Sequence, residues 1–541
     1  MTTPLVPGAP RPTEDGKPEQ QDLLFVGAGA STSYTLISLL DALADADADP
    51  RSPVRVVVVD RASDAFSGLP YGDRAARACL LITSLREFLP DQERGLFSRW
   101  LSGNKHWVFD EFRASAGPLA TAWWERHWSA IERDEFDDLF LPRYLFGEYL
   151  KDLTHQAIAR AEAAGRAQVC VVQDEVQAVR AADGGGFTVH GAAGVLQARC
   201  VVLAVGSPPA RPRLGEHQGQ MDAVLLDDPF ADLPEALRRV AAGLAAAASR
   251  RTTSMQPAHV VVLGGNASTM DVLFQINDLT GAGIDDAVVT VLTPRGELPA
   301  RLEEPAAAPG FRPEELERLS GGGTVRATDV YDAAVRDIER GRDAGFSAAH
   351  TLSPVSQAVV ALLPRLSSEE TADFAGRWGV RLGRLQRRAG LEYWEVVDRL
   401  TAEGRFRLVA GAFTGLAVDP DGATHVEFAT PDGPQRLDPP ADVVVNCAGP
   451  SGDVRVAAPR LLDQLLREGV CGPSSHGAGI AVGAGLKAAE GLYVMGPLLA
   501  GNLVEGGPVW HMEHCGRIIS YGTRLGRQLA GDLKGSRSPV G

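Results

Sequence analysis

The chain has 541 residues, a formal net charge of −16, 45% hydrophobic and 23% charged residues. That length is too great for a single core and predicts two or three domains, while the acidity argues against nucleic acid or an anionic membrane as a general partner. No apolar run is long enough to span a membrane and no apolar signal segment opens the chain, so a cytoplasmic protein is expected.

Residues 1–20 are rich in Pro, Gly and charge and are expected to form a disordered leader. The apolar run Leu23–Val26 then enters Gly27-Ala28-Gly29-Ala30-Ser31-Thr32. This reads as a buried parallel strand, a tight glycine turn and a helix N-terminus with free N–H groups, an arrangement suited to a dinucleotide pyrophosphate. A second strand, Val54–Val59, ends in Asp60, where such a fold holds ribose hydroxyls. The polar insert Asp45–Pro50 lengthens the connection, and Thr32 stands in place of the third glycine.

The turn-forming cluster Phe66–Gly72 follows the ribose-binding acid almost directly and is read as a loop close to the first nucleotide. From about 85 to 165 the pattern is helical and holds five of the eight tryptophans, with Trp124 and Trp128 spaced as a packing face. Four strands, Val169–Val172, Val176–Val179, Phe187–His190 and Val195–Cys200, read as a small antiparallel meander. Val201–Pro209, with Gly206, adds another buried strand and small-residue turn at the edge of the nucleotide-binding sheet.

A second fingerprint begins at His259–Leu263 and turns through Gly264-Gly265-Asn266-Ala267-Ser268-Thr269-Met270-Asp271. Asn266 occupies the place of the middle glycine; asparagine tolerates left-handed backbone, but its side chain limits how closely a phosphate can approach. The next strand, Ala287–Leu292, ends in Thr293-Pro294-Arg295, so an arginine stands where the first unit has Asp60, which suits the 2′-phosphate of NADP. A helical block over about 305–405 includes Val355, Val359, Val360, Leu362 and Leu363 at helical spacing. Val443–Pro450 closes this half as Val201–Pro209 closed the first, and a strand at Gly491–Met495 enters Gly496-Pro497 before a helix from about His511 to Leu529.

The fold class expected from these units is α/β, with two Rossmann-like dinucleotide-binding domains and inserted helical segments. The boundaries read as a leader at 1–20, an FAD-binding domain at 21–255, an NADPH-binding domain at 256–430, and a return to the first domain at 431–535. The six cysteines, Cys79, Cys170, Cys200, Cys447, Cys471 and Cys515, show neither a CxxC pair nor metal-ligand spacing and read as reduced, mostly buried thiols. No metal site is expected.

The order of motifs Gly27–Ser31, Phe66–Gly72, Leu203–Gly206, Gly264–Asp271, Arg295-Gly296 and Gly496–Glu505 resembles the FAD/NAD(P)-binding flavoproteins related to the N-hydroxylating monooxygenases. The resemblance covers nearly the whole chain after residue 21. It implies FAD and NADPH as cofactors, reduction of the flavin by NADPH, capture of oxygen as a C4a-hydroperoxide, and oxygen transfer to a nucleophilic nitrogen. Relatives oxidise the α-amine of L-aspartate towards nitrosuccinate. It further implies that Gly27, Gly29, Ser31, Thr32 and Asp60 bind FAD with Pro70, Tyr71, Gly72 and Gly206 nearby, and that Gly264, Asn266, Ser268, Asp271 and Arg295 border NADPH. Gly496, Pro497 and Glu505 would lie by the flavin or substrate, with Arg143 and Arg301 as further substrate-binding candidates. No general base is marked out, and Leu81-Ile82-Thr83-Ser84 stands where relatives carry an Asn-containing segment. The expected partners are a small amine or amino acid and molecular oxygen, with a second copy of the chain left open. A reductase or dehydrogenase that inserts no oxygen is the alternative enzyme reading, and a non-catalytic dinucleotide-binding regulator the third.

Overall fold

Two sheets, one mixed with a parallel centre and one wholly parallel, each built on one glycine-turn unit, organise the molecule. The computed structural model describes residues 19–44, 53–115, 117–215, 221–250, 256–281, 283–302, 310–456, 458–510 and 515–535. The expected leader, apart from its last two residues, and the Asp45–Pro50 insert lie outside them.

In the first sheet the order is Lys487–Ala489, Leu492–Val494, Val195–Leu203, Gln20–Val26, Val54–Asp60 and Ala167–Gln173. Leu23, Leu24 and Phe25 are fully buried at its centre, and each such side chain contributes about 1.5–3 kcal/mol of apolar transfer energy. The strand Ala167–Gln173 differs from the meander reading. It pairs parallel with Val54–Asp60 because the helix Tyr144–Ala163 carries the chain back across the sheet first. Val195–Cys200 and Val201–Leu203 form one strand, which lies inside the sheet rather than at its edge, flanked by Gln20–Val26 and Leu492–Val494.

The second sheet has the order Phe406–Ala410, Val288–Thr293, His259–Leu263, Val443–Asn446 and Val224–Leu226, with every pairing parallel. Val224–Leu226 and Val443–Asn446 lie outside the 256–430 limits read from sequence. Both are short apolar strands: Val443–Asn446 gains its ladder bonds beside His259–Leu263, and Val224–Leu226 pairs with Val443–Asn446 at the sheet edge. The chain thus enters the second unit well before residue 256 and leaves it after residue 446.

The helical block has a core of its own, in which Val355, Val359, Leu362 and Leu363 pack with Phe374 and Leu382. Val360 is the exception to the spacing argument, being 55% exposed. A π-helical turn, Phe374–Trp378, docks the block against the C-terminal segment: a Cβ on Gly376 would lie 2.6 Å from the Ser475 carbonyl oxygen. The last helix, Cys515–Gly535, packs along Ala30–Ala44. Its Gly526 sits so close that a Cβ there would lie 2.5 Å from the Thr35 carbonyl oxygen and 2.7 Å from the Leu39 nitrogen. Among the described residues no helix is long and apolar enough to cross a membrane.

Candidate dinucleotide sites

The two glycine turns are built alike. Gly27 donates its N–H to Val59 O (2.8 Å) and Gly264 donates to Leu292 O (2.9 Å), tying each turn to the neighbouring strand. Five residues on, the Thr32 hydroxyl donates back to Gly27 O (2.6 Å) and the Thr269 hydroxyl to Gly264 O (2.8 Å). Thr32 and Thr269 therefore clamp their turns. Both first glycines adopt left-handed backbone, φ +100° and +115°. A Cβ on Gly27 would strike the Ala204 carbonyl and one on Gly264 the Cys447 carbonyl, so each turn is pressed onto the strand that closes its unit. Beyond each turn a helix N-terminus faces the ends of the parallel strands, the position where this architecture receives a pyrophosphate.

Asp60 ends its strand beside the first turn, accepting from Ala28 N–H (2.7 Å) and Ala62 N–H (2.8 Å). Each carboxylate oxygen keeps a lone pair for a ribose hydroxyl. A cavity of about 370 Å³ opens next to this strand end, lined by Arg61, Ser63, Asp64 and Arg74 among others. Asp60→Ala is expected to lower FAD retention after dialysis, whereas Asp60→Asn, which keeps an acceptor for Ala28, should lose less. Full flavin content in the alanine variant would remove Asp60 from the site.

The loop at 66–72 lies on the first turn. Phe66 N–H donates to Ala28 O (2.6 Å), Ser33 Oγ donates to Phe66 O (2.9 Å), and a Cβ on Gly68 would approach Gly29 Cα to 3.0 Å. Phe66 itself is fully buried in left-handed backbone, φ 75°, a conformation retained only where the surroundings enforce it. The loop is braced from below by Asp64, which accepts from Ser67 Oγ (2.8 Å) and pairs with Lys151 (2.6 Å). Burial alone would raise the Asp64 carboxyl, but the Lys151 ammonium holds it below the usual range. Pro70 and Gly72 follow in this loop, and Tyr71 packs edge-on to Phe146 with its hydroxyl 3.4 Å from Cys515 Sγ.

The C-terminal turn reaches the same place. Gly496 sits so near Ser31 that a Cβ would lie 2.8 Å from Ser31 Oγ, and Pro497 opens the short 3-10 helix Gly496–Leu499. Gly206 follows the closing strand in left-handed backbone, φ +77°. Glu505 does not join this cluster. It forms the turn of the hairpin Asn502–Val504 and Gly507–Val509, is 65% exposed and pairs with Arg524. The segment Glu505-Gly506-Gly507 carries the hairpin signal that explains this.

In the second unit Asn266 has extended backbone (φ −128°, ψ −173°), not the left-handed form for which asparagine is tolerated. Its side-chain oxygen caps the helix Ala267–Ile276, accepting from Ser268 N–H (3.0 Å) and Thr269 N–H (3.4 Å). Arg295 stands after the strand Val288–Thr293 as expected and is 58% exposed, with Nε donating to Glu297 Oε2 (2.8 Å). The turn that bears it touches the fingerprint: a Cβ on Gly265 would meet Glu297 O and Thr293. Arg295→Ala is expected to raise the KM for NADPH well above that for NADH, since guanidinium pairing with a phosphate is the interaction removed. Equal effects on the two cofactors would exclude a 2′-phosphate role.

Asp271 and Arg143 bind each other. Asp271 Oδ2 accepts from Arg143 (2.9 Å) and Oδ1 accepts from the Tyr393 hydroxyl (2.6 Å). Asp271 is only 3% exposed. Burial would lower the Arg143 pKa, but the Asp271 carboxylate more than reverses this, and burial raises the Tyr393 phenol with Asp271 adding to the effect. The Leu80 N–H donates to the Tyr393 oxygen (3.0 Å). These side chains join the first unit, the second unit and the helical block; Tyr393 carried no signal in the sequence. Arg301 is likewise engaged, pairing with Asp398 (2.7 Å) over the Trp394 ring.

All six cysteines are free. Burial pushes the Cys79 and Cys515 thiols up to about 12 and Cys471 to about 11, which suppresses the thiolate needed for exchange chemistry. Among the described residues no cluster of three or more His, Cys, Asp or Glu could hold a metal.

The fold and its paired turns define an α/β protein with two Rossmann-like units. Residues 24–208 match the model of a family described as FAD-NAD(P)-binding, which covers the first glycine turn, Asp60 and the closing strand. The cradle left by Gly27 and the helix N-terminus behind it fit that group. The chain is similar to uncharacterized proteins of Mycobacterium tuberculosis and Mycobacterium bovis, each 28% identical over 535 residues, 97% of this chain and 97% of theirs. Among solved structures it resembles the cadaverine monooxygenase of Erwinia amylovora, solved with FAD (TM-score 0.52, 10% identity, 95% of each chain). It also resembles the L-lysine 6-monooxygenase of Pseudomonas syringae (TM-score 0.51, 14% identity, 96% of this chain and 100% of that one).

Proposed function

We propose that the protein is an FAD- and NADPH-dependent monooxygenase that oxygenates the nitrogen of a small amine or amino acid, with L-aspartate a candidate substrate. The reaction would consume NADPH, a proton, O2 and R–NH2 and yield NADP+, water and R–NHOH. The observation that carries this reading is the presence of two matched glycine turns in a chain whose fold follows two amine or amino-acid monooxygenases over nearly its full length. Bound FAD would supply the two-electron chemistry with oxygen.

This chain's own residues would bind and orient. The N–H groups beyond Gly27 and Gly29 would hold the FAD pyrophosphate, and Asp60 the ribose. The Phe66–Gly72 loop and the Gly496-Pro497 turn, both against the first turn, would cover the cofactor and exclude water. The second turn and Arg295 would hold NADPH. Arg143 and Arg301 already have carboxylate partners, so a substrate carboxylate would have to displace Asp271 or Asp398 to use either. The free thiols argue against an internal dithiol–disulfide exchange, while the alternative of a reductase or dehydrogenase that inserts no oxygen is separated by the test below.

The test is to follow NADPH, O2, peroxide and hydroxylamine product with FAD-loaded protein across a panel of amines and amino acids that includes aspartate, lysine and cadaverine. Product matching NADPH consumption for one of them supports the reading. NADPH oxidation that yields only peroxide with every amine would favour a reductase, and protein that neither retains flavin nor oxidises NADPH would favour a regulator.

A further inference from the structure

The two turns form an internal comparison that isolates one difference. They share the threonine clamp, the tie to the neighbouring strand and the close approach to the closing strand. At the third position of the turn the first has Gly29, with no side chain, and the second has Asn266. The Asn266 amide is folded back over the helix start, where its oxygen takes the Ser268 N–H at 3.0 Å and reaches the Thr269 N–H at 3.4 Å. Its nitrogen faces Gly449, where an added Cβ would lie 3.5 Å away, and only 9% of the residue is exposed. These N–H groups are the donors that a pyrophosphate uses at a helix N-terminus.

We propose that Asn266 is a built-in competitor for the nicotinamide cofactor: its side chain caps the second helix in the free protein and must be displaced when the pyrophosphate binds. The inference rests on the reading of the second turn as the nicotinamide site. It makes that site self-capped while the first, at Gly29, has no side chain to compete, so FAD is retained and the nicotinamide cofactor exchanges. Removing the competitor destabilises the free state only, because in the complex the phosphate caps the helix instead. Binding must then tighten. A cap of ordinary strength corresponds to about a fivefold change in Kd.

Equilibrium binding of NADP+ to FAD-loaded protein, followed by calorimetry, tests this with variants of opposite sign. Asn266→Ala keeps the Cβ and the extended backbone but removes the acceptor, so its Kd for NADP+ should fall about fivefold. Asn266→Asp keeps a cap and adds a negative charge facing the pyrophosphate, so its Kd should rise. Asn266→Gly serves as a second cap-free variant if the alanine protein is not recovered. A purely structural role would not tighten binding in any variant. Equal or weaker NADP+ binding in Asn266→Ala and Asn266→Gly, with wild-type binding intact, overturns the proposal. If neither NADP+ nor NAD+ binds the wild type or any variant, the assignment of the second turn falls first and the proposal with it.

Discussion

Replacing Asp271 by alanine is expected to destabilise the folded protein by about 3–5 kcal/mol, the cost of leaving a buried guanidinium without its counter-charge. Asp271 is almost fully enclosed and is the shared acceptor of Arg143 and Tyr393. Arg143 cannot shed its charge instead, because the guanidinium stays protonated in proteins. The double replacement Asp271→Leu with Arg143→Leu removes both charges together and should recover most of the loss. Tyr393→Phe, which deletes one hydrogen bond to a carboxylate, should cost about 1.5–3 kcal/mol. Urea unfolding of FAD-loaded protein reads all three. A single Asp271→Ala change that leaves the midpoint where it was would show that the cluster is not the bolt between units described above.

Gly27→Ala is the second large effect. The residue lies at φ +100°, and an added Cβ would be 2.8 Å from the Ala204 carbonyl carbon and closer still to its oxygen. Neither strain can be relieved by rotating a side chain, since both neighbours are backbone. The left-handed conformation alone costs a non-glycine residue about 1–2 kcal/mol, so FAD affinity should fall by at least about tenfold once the turn moves. Gly264→Ala meets the same obstacle at Cys447 O, 2.6 Å away, and should weaken NADPH binding while FAD stays in place. Flavin loss from the Gly264 variant rather than the Gly27 variant would exchange the assignments of the two sites.

The strand–glycine–helix units were legible because each is local: an apolar run, a turn that needs glycine and a helix start fall within about a dozen residues. The positions of Asp60 and Arg295 at the strand ends were legible for the same reason, one strand further on. The interdomain cluster was not, since Arg143 and Tyr393 lie 128 and 122 residues from Asp271 and nothing in a single sequence marks such a meeting. Polarity alone also says nothing about partners at long range. An arginine and a glutamate read as ligand groups in sequence, but Arg143 and Glu505 have protein partners in the structure. Strand direction was hidden too, because Ala167–Gln173 shows the same apolar pattern whether its neighbour is parallel or antiparallel. Both glycine turns are followed by Ala-Ser-Thr, but Thr32 reads in sequence only as a replaced glycine, and its clamp is visible only in the structure.

The position of Leu492–Val494 beside Val195–Leu203 has a consequence for how the protein is made. About 290 residues separate the two strands, and at about 5–20 residues per second a ribosome needs roughly 15–60 s to bridge them. Throughout that interval the first sheet has an uncovered edge, and the helix Ala30–Ala44 lacks the glycine-faced helix that later packs along it. The second sheet takes all its strands from Val224 to Asn446 and is complete while the chain is still being synthesised. The domain begun first is therefore finished last, and the first glycine turn is fully framed only after the C-terminal helix leaves the exit tunnel.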